Sequence, residues 1–176
     1  PTFGFYQVAA RIQGAGVLEV PLVRDDFHLD AGKVIAAGLR AKIVFLCSPN
    51  NPTGNLLDEV AMLRVCTELA GKALVVVDEA YVEFCGRASL TARLAEFPNL
   101  VILRTLSKAY ALAGARLGTV IASEEIIGLL RRIIPPYAIP ASTVDEVLAL
   151  TEAPQRALSA ARIRTLLDER ATMRQR

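Results

Sequence analysis

A chain of 176 residues, 53% of them hydrophobic, can build one domain with a core of its own and is too short for two full ones. Its net charge of +2 comes from acids and bases interspersed along the chain, which leaves neither a basic surface for nucleic acid nor an acidic tail. One histidine, His28, and three cysteines without CxxC spacing, Cys47, Cys66 and Cys85, argue against a metal site and for reduced core thiols of a cytoplasmic protein, and no apolar run approaches the roughly 18 residues that span a bilayer.

The chain starts at Pro1 and opens directly on an aromatic turn, PTFGFY, so a fragment or trimmed domain is expected. Phe3, Phe5 and Tyr6 lie in that turn, and Gln7 to Ile12 begin a helix. Val17 to Val23 alternate and predict a strand with Leu18 and Val20 on one face. Asp30 caps a short helix to Leu39. Ile43 to Cys47 is an apolar run with the look of a strand buried on both faces of a parallel sheet, and the tight loop SPNNPTG follows it. Asp58 starts the next helix, with Val60, Leu63, Thr67 and Ala70 on one stripe and Gly71 as its stop.

Leu74 to Val77 repeat the buried-strand pattern and end in DEAY. A helix over Ser89 to Phe97 and a strand from Val101 to Leu103 come next, and then a polar group, Arg104, Thr105 and Ser107, with Lys108 in the turn beyond. Leu117 to Ala122 predict one more strand. Ser123 caps a helix with Glu124 and Glu125 in its first turn and Arg131 and Arg132 in its last. Another starts near Thr143 with a Thr143/Glu146 capping box, and Pro154 opens a long final helix. Arg156, Arg162, Arg164, Arg170, Arg174 and Arg176 fall on that helix with Asp168 and Glu169 among them, as on a solvated face.

Alternating strands and helices predict an α/β domain with a mainly parallel sheet. Ligands of such sheets bind at the carboxyl ends of the strands, and three of those ends carry SPNN, DEAY and TLSK. Lys108, walled by Leu106, Ala109, Tyr110 and Leu112, is expected to be partly desolvated and so a usable nucleophile toward a carbonyl. Taken alone it is an ordinary surface lysine. Together with a carboxylate at Asp78, a phenol at Tyr81, an amide at Asn51 and a Ser107/Arg116 pair fit for a phosphate, it makes the set that a pyridoxal phosphate site requires. No GxGxxG or GxxxxGK[ST] loop follows any predicted strand, which removes the nucleotide-binding alternative.

The opening PTFGFY, SPNNPTG, DEAYVEF and RTLSKAYALAGARLG resemble, in the same order, segments of the fold-type I, class-II pyridoxal-phosphate-dependent aminotransferases, and most of all the histidinol-phosphate aminotransferase family, which also shows a segment similar to IIPPYAIPAS. The resemblance covers nearly the whole chain. It implies a three-layer αβα sandwich, with residues 1–150 as an incomplete cofactor-binding large domain and residues 151–176 as a long helix leading toward a small domain. It implies Lys108 as the Schiff-base lysine and general acid and base, Asp78 as partner of the pyridine nitrogen, and Tyr81 and Asn51 as partners of the phenolate oxygen. Ser107, Arg116 and Thr105 match the phosphate holders, and Phe3 matches the aromatic that stacks on the ring. The family's glycine-containing loop and small-domain arginine are missing from this sequence, so the chain is expected to be inactive alone. Amino transfer between L-histidinol phosphate and 2-oxoglutarate by a cytoplasmic homodimer is the expected activity of the parent. An aromatic aminotransferase, a phospho-amino-acid decarboxylase and a non-catalytic domain of the same fold stay open as alternatives.

Overall fold

The computed structural model describes residues 1–175. Its centre is a four-stranded sheet in the order β1 (Ile43–Cys47), β2 (Leu74–Asp78), β3 (Leu100–Thr105), β4 (Gly118–Ala122). The first three strands run parallel and β4 is antiparallel to β3. Helices α1 (Phe5–Ile12), α2 (Ala31–Gly38), α3 (Glu59–Glu68), α4 (Glu124–Arg131), α5 (Ala141–Thr151) and α6 (Ala153–Arg174) surround it.

Because side chains alternate along a strand, one set lies on one face: Val44 and Leu46, Val75 and Val77, Leu100 and Ile102, and Ile121. This face packs with Val34 of α2 and with Met62, Leu63, Val65 and Cys66 of α3 into the core. Burial pushes the Cys66 thiol up to about 11, and all three cysteines are free. The other face carries Phe45, Cys47, Val76 and Asp78, and α1 covers it in part by laying the Tyr6 ring on Phe45, with centroids 4.7 Å apart. Helices therefore stand on both sides of the sheet, as in the sandwich anticipated above.

Local chemistry accounts for the helix starts. Asp30 Oδ1 accepts from the Lys33 N–H at 3.0 Å, and Asp58 Oδ2 accepts from Ala61 N–H at 2.8 Å, each closing one open donor of a first turn. Gly38 ends α2 where nothing larger fits: an added Cβ would sit 2.5 Å from Leu69 Cδ1 and 3.2 Å from Val44 Cγ2. Leu69 is fully buried, so making room would mean shifting it within the core. We expect Gly38→Ala to lower stability by about 1–2 kcal/mol, overpacking outweighing the better helix propensity. A urea midpoint at or above that of the unmodified chain would contradict this.

Several expectations change. Val17 to Val23 form no strand: Leu18 is exposed, Val20 and Leu22 dip into the core, and the Val23 N–H donates to the His28 carbonyl instead of to a neighbouring strand. Nor is β1 buried on both faces, since it lies at the sheet edge with Ile43 and Phe45 exposed. Val60 of α3 is 74% exposed, so the buried stripe runs through Met62, Leu63 and Cys66 rather than Val60, Thr67 and Ala70. Only a 3₁₀ turn over Leu90–Arg93 stands where a helix to Phe97 is predicted.

Ser123 precedes α4 without a side-chain capping bond. Thr143 lies inside α5 and donates to the Ala115 carbonyl at 3.2 Å, so it makes no capping box. On α6, Arg156, Arg162, Arg164, Arg170 and Arg174 are all exposed, as on a solvated face, with Arg170 also donating to the Phe84 carbonyl at 3.1 Å, and Arg176 lies outside the described residues. None of the described helices is long and apolar enough to cross a membrane.

Candidate active site

Parallel β1, β2 and β3 bring their carboxyl ends to one edge, with Cys47 opposite Asp78 and Asp78 opposite Leu103. The Asn51 loop leaves β1 there. Its shape comes from hydrogen bonds within it: the Asn50 N–H donates to the Asn55 carbonyl and the Gly54 N–H to the Asn50 carbonyl, both at 2.8 Å. Ser48 Oγ accepts from the Leu57 N–H at 3.1 Å and fixes the exit.

Asp78 and Glu79 end β2 but do different things, because neighbouring residues on a strand face opposite ways. Glu79 is buried, with Oε1 accepting from the Leu90 N–H at 2.7 Å and Oε2 from the Ser89 hydroxyl at 2.6 Å. It anchors the chain after DEAY and takes no part in the edge. Asp78 is half-buried at the edge, with Oδ1 accepting from the Ala80 N–H at 3.0 Å and Oδ2 from the Tyr6 hydroxyl at 2.6 Å. A carboxylate has about four acceptor sites, so room is left for one more donor.

Lys108 Nζ lies 5.8 Å from the centre of the Tyr81 ring, within cation–π range. Lys108 is exposed, although Ala109 is buried and Tyr110 and Leu112 are half-buried. The apolar neighbours thus pack into the protein and leave the amine at the open edge, which corrects the expectation of a desolvated lysine. Tyr81 and Asn51 both line an open cleft of about 460 Å³, together with Pro49, Phe84, Arg170 and Arg174. Lys108 and Asp78 stand outside that lining.

Thr105 and Ser107 meet at the end of β3: their hydroxyls are 3.0 Å apart, and Thr105 Oγ1 accepts from the Ser107 N–H at 3.1 Å. Arg116 takes a left-handed backbone, φ +52°, and its exposed guanidinium donates to the Ala113 carbonyl at 2.8 Å. Arg104 is engaged elsewhere, in an ion pair with Glu83. Phe3 is exposed and stands edge-on to Tyr6, 5.4 Å between centroids.

Pro1, Thr2, Asn50 and Tyr6 tie the opening segment to this edge. The Asn50 side chain donates to the Pro1 carbonyl at 2.9 Å and accepts from the Thr2 hydroxyl at 2.8 Å, while Tyr6 holds Asp78. Burial and the bond to Asp78 push the Tyr6 phenol far up, so it is present as a neutral donor. The spacing of Phe3 and Tyr6, one helical turn apart, is the sequence signal that could have found this pair.

For a pyridoxal phosphate ring the donor set fits: a carboxylate with a free acceptor site, an amine paired with no carboxylate among the described residues, and hydroxyls clustered at a strand end.

Over 176 aligned residues the chain is 48% identical to histidinol-phosphate aminotransferase of Stenotrophomonas maltophilia, covering 97% of this chain and 48% of that protein. A histidinol-phosphate aminotransferase of Sinorhizobium meliloti, solved in complex with pyridoxal-5'-phosphate, superposes with TM-score 0.75 at 26% identity, over 96% of this chain and 44% of that one. L-threonine-O-3-phosphate decarboxylase of Porphyromonas gingivalis superposes with TM-score 0.73 at 26% identity, over 85% and 44%. The chain spans about half the length of the curated relatives it matches. A family model described as aminotransferase class I and II matches residues 1–176, and the chain belongs to that family.

Proposed function

We propose that this chain carries the cofactor-binding part of a pyridoxal-phosphate-dependent aminotransferase that moves an amino group between L-histidinol phosphate and 2-oxoglutarate. The observation that carries the reading is the convergence of Asn51, Asp78, Tyr81, Ser107 and Lys108 on the carboxyl edge of three parallel strands. The named relatives at 46–48% identity support the substrate. A homodimer in the cytoplasm, and residues 151–176 as the start of a link to a second domain, belong to the same proposal.

When bound, the cofactor supplies an electron sink that eases loss of a proton from the substrate's α-carbon. Asp78 would face the ring nitrogen and keep positive charge there, and Tyr81 and Asn51 would hydrogen-bond the phenolate oxygen. Phe3 would stack on the ring. Ser107, Thr105 and Arg116 would hold the phosphate. Lys108, the amine of the site, would take up the proton lost from the substrate's α-carbon and return it, as general base and then general acid.

The test uses the full-length gene product: uptake of pyridoxal phosphate followed by visible absorption, and turnover of L-histidinol phosphate with 2-oxoglutarate. Loading and turnover together are the expected result; a protein that takes up no cofactor sinks the reading. Arg116→Ala is expected to weaken cofactor affinity about ten- to a hundredfold by losing a charged phosphate contact, with the fold intact because the side chain is exposed. Equal affinity would remove Arg116 from the site. The second reading, decarboxylation of a phosphorylated amino acid, is favoured by the Porphyromonas likeness, and release of carbon dioxide without need of an oxo acid would select it.

A further inference from the structure

We propose that Tyr6 is the positioning residue of Asp78, its hydroxyl fixing the carboxylate that would face the cofactor's ring nitrogen while its ring sets the place of Phe3. This rests on the roles just proposed for Asp78 and Phe3.

The backbone of Asp78 is fixed by ladders to β1 and β3, but a backbone ladder does not fix a side chain. The Ala80 N–H holds Oδ1 from the same stretch of chain, which still leaves the carboxylate free to swing about that one contact. Tyr6 brings the second contact from a separate element, at 2.6 Å on Oδ2. Two donors on two oxygens set the plane of the group.

Tyr6 can do this because its ring is held in turn. It stacks on Phe45 with 13° between the planes, and Phe45 lies two residues before Cys47, the partner of Asp78 across the sheet. The ring therefore lies along the face on which Asp78 stands, with its hydroxyl reaching the strand end. One turn earlier, Phe3 meets the same ring edge-on at 81°. The bonds of Asn50 to Pro1 and Thr2 then tie this segment to the loop that presents Asn51.

The choice of a phenol has a chemical sense. Burial and the bond to Asp78 raise the Tyr6 phenol well above its ordinary range, so it donates without bringing charge. It orients the carboxylate and leaves the negative charge available to the ring nitrogen.

Tyr6→Phe keeps the stacking surface and removes only the hydroxyl. In the full-length gene product, we expect pyridoxal phosphate to bind about tenfold more weakly to Tyr6→Phe, with a shifted absorption band of the bound cofactor and an unchanged far-UV circular dichroism spectrum. If Tyr6 acts through Asp78, Tyr6→Phe adds nothing further in an Asp78→Ala background. The same tenfold loss on top of Asp78→Ala overturns the proposal, as does wild-type affinity and absorption in Tyr6→Phe. No cofactor uptake by the unmodified protein instead brings down the aminotransferase reading, and this inference with it, so the two failures are told apart by the wild-type control.

Discussion

Lys108→Ala is expected to cut amino transfer in the full-length gene product by about a thousandfold or more, in the upper part of the range ascribed to a positioned acid–base group. In the proposed reaction a proton has to leave the substrate's α-carbon, and Lys108 is the amine beside Tyr81 at the carboxyl edge of the parallel strands. Its exposed position makes the experiment clean, because surface substitutions away from special features usually move stability by no more than about 0.5 kcal/mol. Cofactor is still expected to bind through the remaining contacts. Borohydride reduction of the loaded unmodified protein should leave a label on the peptide carrying Lys108, and the variant should carry none. Turnover by Lys108→Ala within a factor of ten of the unmodified protein would move the acid–base role to another group.

How much of this edge was legible in the sequence depends on whether its determinants are local. Apolar runs bounded by polar turns marked β1 to β4 because burial of a short strand is written in consecutive residues. Asp30 and Asp58 marked two helix starts because a cap needs only its own first turn. Val17 to Val23 misled for the opposite reason. Alternation records which side chains meet the core, and Val20 and Leu22 do meet it, but a strand also needs a partner, and among the described residues β1 pairs only with β2. The segment after Ser89 is held by Glu79, a residue ten positions away, so its collapse to one 3₁₀ turn was out of reach of local propensity.

The candidate site divides the same way. Lys108, Asp78, Tyr81, Asn51, Thr105 and Ser107 could be named because topology sends parallel strand ends to one edge. Their environment could not. The exposure of Lys108 follows from how Ala109, Tyr110 and Leu112 turn inward, and the removal of Arg104 from the polar group follows from Glu83, which comes from another segment. Tyr6 lay within a recognised motif, yet its bond to Asp78 spans seventy-two positions and appears only in three dimensions.

Asp78 is where charge and hydrogen bonding can be separated, and two substitutions with different outcomes do so. Asp78→Asn keeps the shape of the side chain and an oxygen that can accept one of the present donors, but removes the negative charge. If that charge holds the ring nitrogen positive, turnover should fall about a hundredfold or more, a loss on the order of 3 kcal/mol. The fold should hold, since the strand ladders use only its backbone. Asp78→Ala should lose at least as much turnover and, in addition, stability: the half-buried Tyr6 hydroxyl then has no acceptor, a cost of about 1–3 kcal/mol. Thermal midpoints and turnover numbers measured on both variants give the decisive comparison. Equal stability of the two would mean that Tyr6 finds another partner, and full activity in Asp78→Asn would mean that the charge at the end of β2 plays no part in the reaction.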